Sequence, residues 1–348
     1  MGTKSNKQGK KRLLMLTDGN SDQASARIRA IQYIPMLEDA GFEITFIPRI
    51  PQKTDNTFIK YTYFPFIKRL LWIKRYFALF FQNWDVIYVQ RLLLHKSALQ
   101  KAVSKSRLIF DFDDAIFIDS RNNSSAYKTA NMVKYADETI VSTDWLIDFC
   151  REHGKTAIVI PTPVETDIIK PKGITENKIP VIGWIGSAWT TGYLELIVPA
   201  LQKLASEYEF TFLTVGAKAE FSVRGVIHTN IPWEPGIETK ALAQIDIGIM
   251  PLPDDDYARA KGGYKLYLYM AAGLPCIASP VGINAAIIKE GVNGLLAATE
   301  NQWYSALKTL LDKPELRYSM GESGRKQAVD EYDRKVCFAR LIRKINKE

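Results

Sequence analysis

The chain has few of the side chains from which redox and metal sites are built: three cysteines and three histidines in 348 residues. Cys150, Cys276 and Cys337 are far apart and odd in number, with no CxxC and no histidine at metal-ligand spacing. That pattern speaks against a disulfide framework and against zinc or haem. Reduced thiols are expected, with Cys276 buried in a strand. No apolar run approaches the roughly 20 residues that span a bilayer. No GxGxxG follows a predicted strand, which argues against a nicotinamide dehydrogenase, and no nucleic-acid-binding module is recognisable. Internal repeats and low-complexity tracts are missing too. The opening MGTKSNKQGKKR lacks the apolar stretch of a secretory signal, so a short solvated tail on a cytoplasmic protein is expected.

What is present is an ordinary globular composition, 47% hydrophobic and 24% charged, at a length that suits two domains of roughly 100–200 residues. The net charge of +8 points to an anionic partner, whether nucleic acid, a membrane surface or phosphorylated small molecules, or else to a merely basic surface. From Tyr63 to Trp84 the chain reads YFPFIKRLLWIKRYFALFFQNW, with Lys68, Arg69, Lys74 and Arg75 among aromatic and aliphatic residues. A basic amphipathic helix lying on an anionic membrane fits this segment. The competing reading packs the aromatics under the first domain.

Strand-length apolar runs alternate with helical periodicity almost from end to end, the mark of parallel βα units. RLLMLT, EITFIP, DVIYVQ, RLIFDF, ETIVS and AIVIP make one doubly wound domain; PVIGWIG, FTFLTVG, GVIHTN, DIGIMPL, PCIAS and GLLAA make a second. One long helix is expected over ARIRAIQYIPMLEDAG, where Ile28, Ile31, Ile34 and Leu37 recur and Gly41 supplies the stop. The stretch from Pro161 to Pro180 carries four prolines and no periodicity, as a connection between domains would. The predicted architecture is α/β, two Rossmann-like domains facing across a cleft. The first covers 1–165, the second 166–330, and an amphipathic helix over 331–348 is open to packing back on the first.

Ligands bind such sheets at the carboxyl ends of the strands. In ARAKGGYKLYLYMAAGLPCIAS, Gly262 and Gly263 precede a helix whose free N–H groups and dipole attract phosphate, while Lys261 and Lys265 share a face if both are helical. Gly186 and Ser187 end another strand and can meet the same phosphates; Gly216 ends a third. In the first half, Asp111, Asp113 and Asp114 end a strand, where three crowded carboxylates sit better than in a core. Asp114 is also open to a helix-cap role. Arg27, Arg29 and Arg91 offer forks for phosphate or carboxylate groups of an acceptor or donor, or loop-holding ion pairs.

DIGIMPLPDDD, KGGYKLYLYMAAGLPCIASPVG and GVNGLL, with SARIRAIQYIPML and IFDFDDA, resemble the family 4 glycosyltransferases of GT-B fold, from about Arg12 to Tyr332. The resemblance implies a retaining transfer of a sugar from a nucleoside-diphosphate sugar, bound by the second domain, to a hydroxyl acceptor, lipid-linked or glycan, bound by the first. It further implies a place in bacterial surface glycan synthesis, and the segment from Tyr63 to Trp84 puts that work at the inner face of the cytoplasmic membrane. Asp113 stands where many relatives carry a histidine beside the acceptor, a place to orient or deprotonate its hydroxyl. A metal-binding DxD is the competing reading of the acidic cluster, but it belongs with a single mixed sheet. No obligatory metal or other cofactor is expected, because Lys261, Lys265, Ser187 and helix N-termini can stabilise the leaving diphosphate.

One departure stands out. Two family glutamates, with seven residues between them, align with Ala260 and Leu268, so ribose recognition falls to Tyr264, Tyr267 or Glu234, and Leu268→Glu is expected to tighten nucleotide binding. The alternative function is a catalytically inactive GT-B scaffold that binds a glycan, a lipid or a partner enzyme.

Overall fold

The computed structural model describes residues 10–51, 64–118, 124–173 and 177–347. The basic tail up to residue 9 and Tyr63 lie outside them. The chain divides into two units, Met1–Ile160 with Phe338–Glu348, and Pro161–Cys337.

In the first unit, β1 (Lys11–Thr17), β2 (Phe42–Pro48), β3 (Val86–Gln90), β4 (Arg107–Phe112), β5 (Glu138–Val141) and β6 (Ile158–Val159) form a parallel sheet ordered β2-β1-β3-β4-β5-β6. Helices α1 (Ala24–Arg29), α2 (Ile34–Asp39), α3 (Phe64–Phe81), α4 (Lys96–Val103), α5 (Ser124–Tyr135) and α6 (Asp144–Glu152) connect the strands. Leu13–Leu16 of β1 and all of β3 are buried, as strands covered on both faces must be. The long helix expected after β1 is instead broken into α1, a 3-10 turn at Ile31–Tyr33, and α2. Pro35 explains the break, for it cannot donate to the carbonyl of Ile31 and its ring would clash with that group. In the first turn of α2, where it sits, the missing N–H costs nothing.

The second unit repeats the plan. Strands β7 (Val181–Ile185), β8 (Thr211–Val215), β9 (Ile227–Ile231), β10 (Ile247–Met250), β11 (Cys276–Ala278) and β12 (Gly294–Leu296) are parallel and ordered β12-β11-β10-β7-β8-β9. Between and after them run α7 (Val198–Ala205), α8 (Ile237–Leu242), α9 (Asp256–Arg259), α10 (Tyr264–Ala271), α11 (Asn284–Ile287), α12 (Glu300–Asp312) and α13 (Pro314–Gln327). Alternate strand residues serve two cores: Ile182, Trp184, Phe212 and Ile249 share one with α7 and α12, while Ile185, Leu213, Val215 and Met250 share the other with α8 and α10. The three cysteines are free thiols and buried, Cys276 in β11 as expected.

A π-helical turn at Ala328–Tyr332 leads to α14 (Arg334–Asn346). The part of α14 that belongs to the first unit sets Phe338 5.6 Å from the ring of Tyr33, and its Ile345 carbonyl accepts from Arg107 (3.0 Å).

Helix α3 is turned inside out. Phe66, Leu70, Ile73, Phe77 and Phe81 recur at four- and three-residue steps, which makes one stripe along the helix. That stripe is exposed, from 47% at Ile73 to 68% at Phe81. Arg75, Ala78 and Leu79 are the buried residues, on the opposite face. Lys68, Arg69 and Lys74 are exposed. Arg75 is a correction to its expected role at head groups: it is buried and donates to the Pro48 carbonyl at 2.8 Å, and burial lowers its pKa. No helix among the described residues is long and apolar enough to cross a membrane.

Candidate active site

Each sheet grows first on one side of its opening strand and then on the other, so connections diverge between β1 and β3 in the first unit and between β7 and β10 in the second. Such switch points are where open parallel sheets take ligands. In the second unit the sheet is prised apart there. β7 and β10 pair only through Ile182 with Ile247 and Gly183 with Gly248. Beyond these pairs the Tyr269 phenol of α10 stands between the strands, accepting from the Ile185 N–H (3.0 Å) and donating to the Ile249 carbonyl (3.2 Å). Gly248 leaves room for the ring, since a Cβ there would lie 2.3 Å from it.

The residues expected around a diphosphate gather at this opening. The Gly186 N–H donates to Val215 at the end of β8. Gly216 has φ +72°, and a Cβ on it would lie 2.6 Å from the Gly186 carbonyl oxygen, so the two turns touch backbone to backbone. Ser187 is exposed and caps the 3-10 helix Ala188–Leu196. Lys265, in the first turn of α10, sets its Nζ 5.4 Å from the Trp184 indole, the ring that lies against Gly186. Lys261 sits 4.3 Å from the ring of Tyr257 and 5.9 Å from that of Tyr193, in the helix capped by Ser187. The two lysines do not share a helical face, because α10 begins at Tyr264. Both reach the stretch from Trp184 to Tyr193, Lys265 over its first ring and Lys261 over its last. Gly262 and Gly263 precede α10 as expected, Gly263 with φ +71°, and Tyr264 is half-buried. Tyr193 and Tyr257, over which Lys261 lies, went unrecognised in the sequence, where isolated tyrosines carry no positional signal.

The two positions aligned with the family glutamates are interior. Ala260 and Leu268 are 0% and 2% exposed, and Leu268 belongs to the core that α10 shares with the sheet. Tyr267 is also removed from the ribose candidates, since it is buried with its ring 4.0 Å from that of Tyr332. Glu234 is exposed in the loop after β9.

In the first unit Arg29 and Asp111 are engaged with each other. The guanidinium donates from Nε (2.7 Å) and Nη2 (3.0 Å) to the two carboxylate oxygens and from Nη1 to the Ile160 carbonyl (3.0 Å); Tyr88 donates to Asp111 (2.8 Å). Both side chains are buried. Burial pushes the Asp111 carboxyl up, while the guanidinium pulls it down. The structure therefore places this pair inside the domain as a mutual contact, rather than before an acceptor or a metal. Arg27 holds the preceding loop through the Ser21 carbonyl (3.0 Å). Asp113 and Asp114 lie at the strand end, with Arg91 Nε 3.5 Å from Asp113 and Nη2 3.3 Å from Asp114. Asp114 accepts from the Ala115 N–H (3.1 Å), which caps a turn and not a helix. Among the described residues, no group of three or more His, Cys, Asp or Glu side chains is disposed to hold a metal.

Residues 179–313 match the family model described as Glycosyl transferases group 1. The match lies wholly within the second unit, Pro161–Cys337. Around it, the chain of this glycosyltransferase is similar in fold to sucrose-phosphate synthase from Thermosynechococcus elongatus, with a TM-score of 0.71 at 13% identity over 97% of this chain and 99% of that one. HepE from Anabaena, solved with UDP and glucose, gives 0.67 at 12% identity over 97% and 100%. The apo lipopolysaccharide outer core galactosyltransferase WaaB gives 0.66 at 14% identity over 97% and 99%. At these identities the likeness is one of fold, GT-B, with a six-stranded parallel sheet in each unit. No curated protein matches the sequence.

Proposed function

We propose that this glycosyltransferase moves a sugar from a nucleoside-diphosphate sugar, held by the second unit, to a hydroxyl of a lipid-linked or glycan acceptor. In this reading the transfer retains the anomeric configuration and serves the assembly of a bacterial surface glycan. The observation that carries the proposal is that Lys265 lies over Trp184, the ring against Gly186, and Lys261 over Tyr193, in the helix that Ser187 caps, beside the opened β7–β10 edge. As the bond to the sugar breaks, negative charge grows on the leaving diphosphate. Two ammonium groups and the N-terminus of α10 meet that charge from preset positions, which removes the need for an obligatory metal. UDP is the first nucleotide to test, because HepE was solved with it.

Loss of one charged hydrogen bond is worth about 1.5–3 kcal/mol, or about ten- to a hundredfold in affinity. Lys261→Ala and Lys265→Ala should each weaken UDP binding by that factor in titration calorimetry. Unchanged affinity in both variants would sink the donor assignment. Tight UDP binding with no donor turnover would assign the chain to the inactive-scaffold class.

The same proposal places the enzyme at the inner face of the cytoplasmic membrane. The exposed stripe of α3 would enter the interfacial region, while Lys68, Arg69 and Lys74 meet anionic head groups. Each basic residue near such a surface contributes about 1 kcal/mol, so three give about a hundredfold in partitioning. Co-sedimentation with phosphatidylglycerol vesicles should fall by about that factor when Lys68, Arg69 and Lys74 are all serine, and should fall again in high salt. Binding that ignores both changes would show that α3 is not the anchor. Arg75 is left intact, because its removal would unseat the helix from the domain.

A further inference from the structure

A sheet that does not close has two edges, and an edge strand is a template for pairing with another chain unless it is blunted. Among the described residues, three of the four edges of this protein are blunted. β2 carries the exposed Glu43 and ends at Pro48, whose carbonyl takes the Arg75 guanidinium (2.8 Å). β6 has only two residues. β12 has three, and two of its main-chain groups are already taken: the Leu296 N–H donates to the Glu290 carboxylate (2.7 Å) and the Gly294 carbonyl accepts from Gly291 (3.0 Å).

The fourth edge, β9, is open. Its five residues, IHTNI, include no acid, lysine, arginine or proline. Burial lowers the His228 pKa, so the strand is uncharged at neutral pH. Among the described residues β8 alone pairs with it.

The side chains along β9 are symmetric about its centre. His228 and Asn230 lie on one face, both hydrogen-bonded to Thr214 of β8 (2.9 and 3.0 Å). Ile227, Thr229 and Ile231 therefore share the other, where Ile231 packs against the core of α8 and α10 while Ile227 is 57% exposed. An antiparallel strand of the same sequence, turned about Thr229, sets Ile227 opposite Ile231, His228 opposite Asn230, and Thr229 opposite itself. Each pair is then apolar with apolar or polar with polar, and threonine meets threonine, a pairing that stabilises sheets.

We propose that β9 pairs antiparallel with β9 of a second copy of this chain, about a two-fold axis through Thr229, joining two six-stranded sheets into one. A contact of this isologous kind closes on itself, so the product is a dimer and not a filament. The two sets of strands run in opposite directions, so their carboxyl ends face opposite ways. The opening between β7 and β10 is separated from the joint by β8, which leaves each donor site clear. Five paired residues bury little surface, which places the dimer among weak, concentration-dependent contacts.

Sedimentation velocity of the full-length protein from about 5 to about 300 µM should show a monomer–dimer equilibrium. Thr229→Lys sets two ammonium groups opposite each other across the axis and should weaken the dimer by about tenfold or more. Ile227→Glu should weaken it as well, whereas Thr229→Val keeps the β-branched shape and should leave it intact. Cross-linking tests the register. The new thiols of Thr229→Cys would stand opposite each other and should join two copies under mild diamide oxidation, while those of Ile227→Cys would lie about 13 Å apart along the strands and should not. The three native thiols are buried. Thermal melting confirms that each variant is folded. A monomer over the whole range, a dimer indifferent to Thr229→Lys, or equal cross-linking at positions 227 and 229 would overturn the proposal. The second of these results would move the contact to another surface, the apolar stripe of α3 first.

Discussion

Arg29→Ala should cost the first unit about 3–5 kcal/mol, the usual penalty for stripping one partner from a buried ion pair. Among the described residues, the variant would leave the buried Asp111 carboxylate with the Tyr88 hydroxyl to answer it, and would leave the Ile160 carbonyl without its Arg29 donor. In a chain with two units, chemical denaturation need not be a single transition. The loss should therefore appear as an early transition that is absent from the wild type, read by far-UV circular dichroism in urea. A companion variant separates structure from function: replacing Arg29 and Asp111 together with Met and Leu removes both charges and should restore most of the loss. A cost below about 1 kcal/mol for Arg29→Ala would mean that the pair is not sealed from water and that its reading as a structural contact is wrong.

Leu268→Glu should fail to tighten nucleotide binding and should destabilise the second unit by about 4 kcal/mol or more. The resemblance to family 4 enzymes suggested the opposite, a ribose contact regained. Leu268 is 2% exposed in the α10 core, so the substitution exchanges buried leucine, worth about 1.5–3 kcal/mol, for a carboxyl group with no partner. Burial would raise the pKa of that carboxyl in the folded state above its unfolded value near 4.3. The folded protein then holds a proton that the unfolded chain releases, so the deficit should be smallest near pH 4 and should grow as pH rises to about 8. Melting temperatures across that range would check the sign. A folded variant with tighter UDP binding would show that the side chain reaches the site after all.

These cases mark what the chain discloses when read in one dimension. The central strands were legible because parallel strands covered on both faces need uninterrupted apolar runs, and RLLMLT or DVIYVQ have no other place to go; β9, IHTNI, is neither buried nor an apolar run and was legible only from the alternation around it. The helix after β1 was misjudged because apolar spacing ran on through Pro35, and a single ring outweighed the pattern. Asp113, Lys261 and Lys265 could be singled out because each sits at the end of a strand or the start of a helix. The fate of Arg29 could not be foreseen: its partner lies 82 residues away, and nothing in SARIR distinguishes an arginine turned inward from one offered to a ligand. Arg75 was misread for the same reason, since four basic residues on one helix look alike until the face that meets the sheet is known.

The phenol of Tyr269 has a mechanical consequence. One hydroxyl ties α10 to both strands across the split, bonded to β7 through Ile185 and to β10 through Ile249. The helix that carries Lys265 in its first turn therefore cannot tilt without dragging on the two central strands of its domain. In the proposed reading, the ammonium group that would meet the diphosphate is mounted on a helix braced to both strands, and little of the binding energy at that point would go into bending the frame.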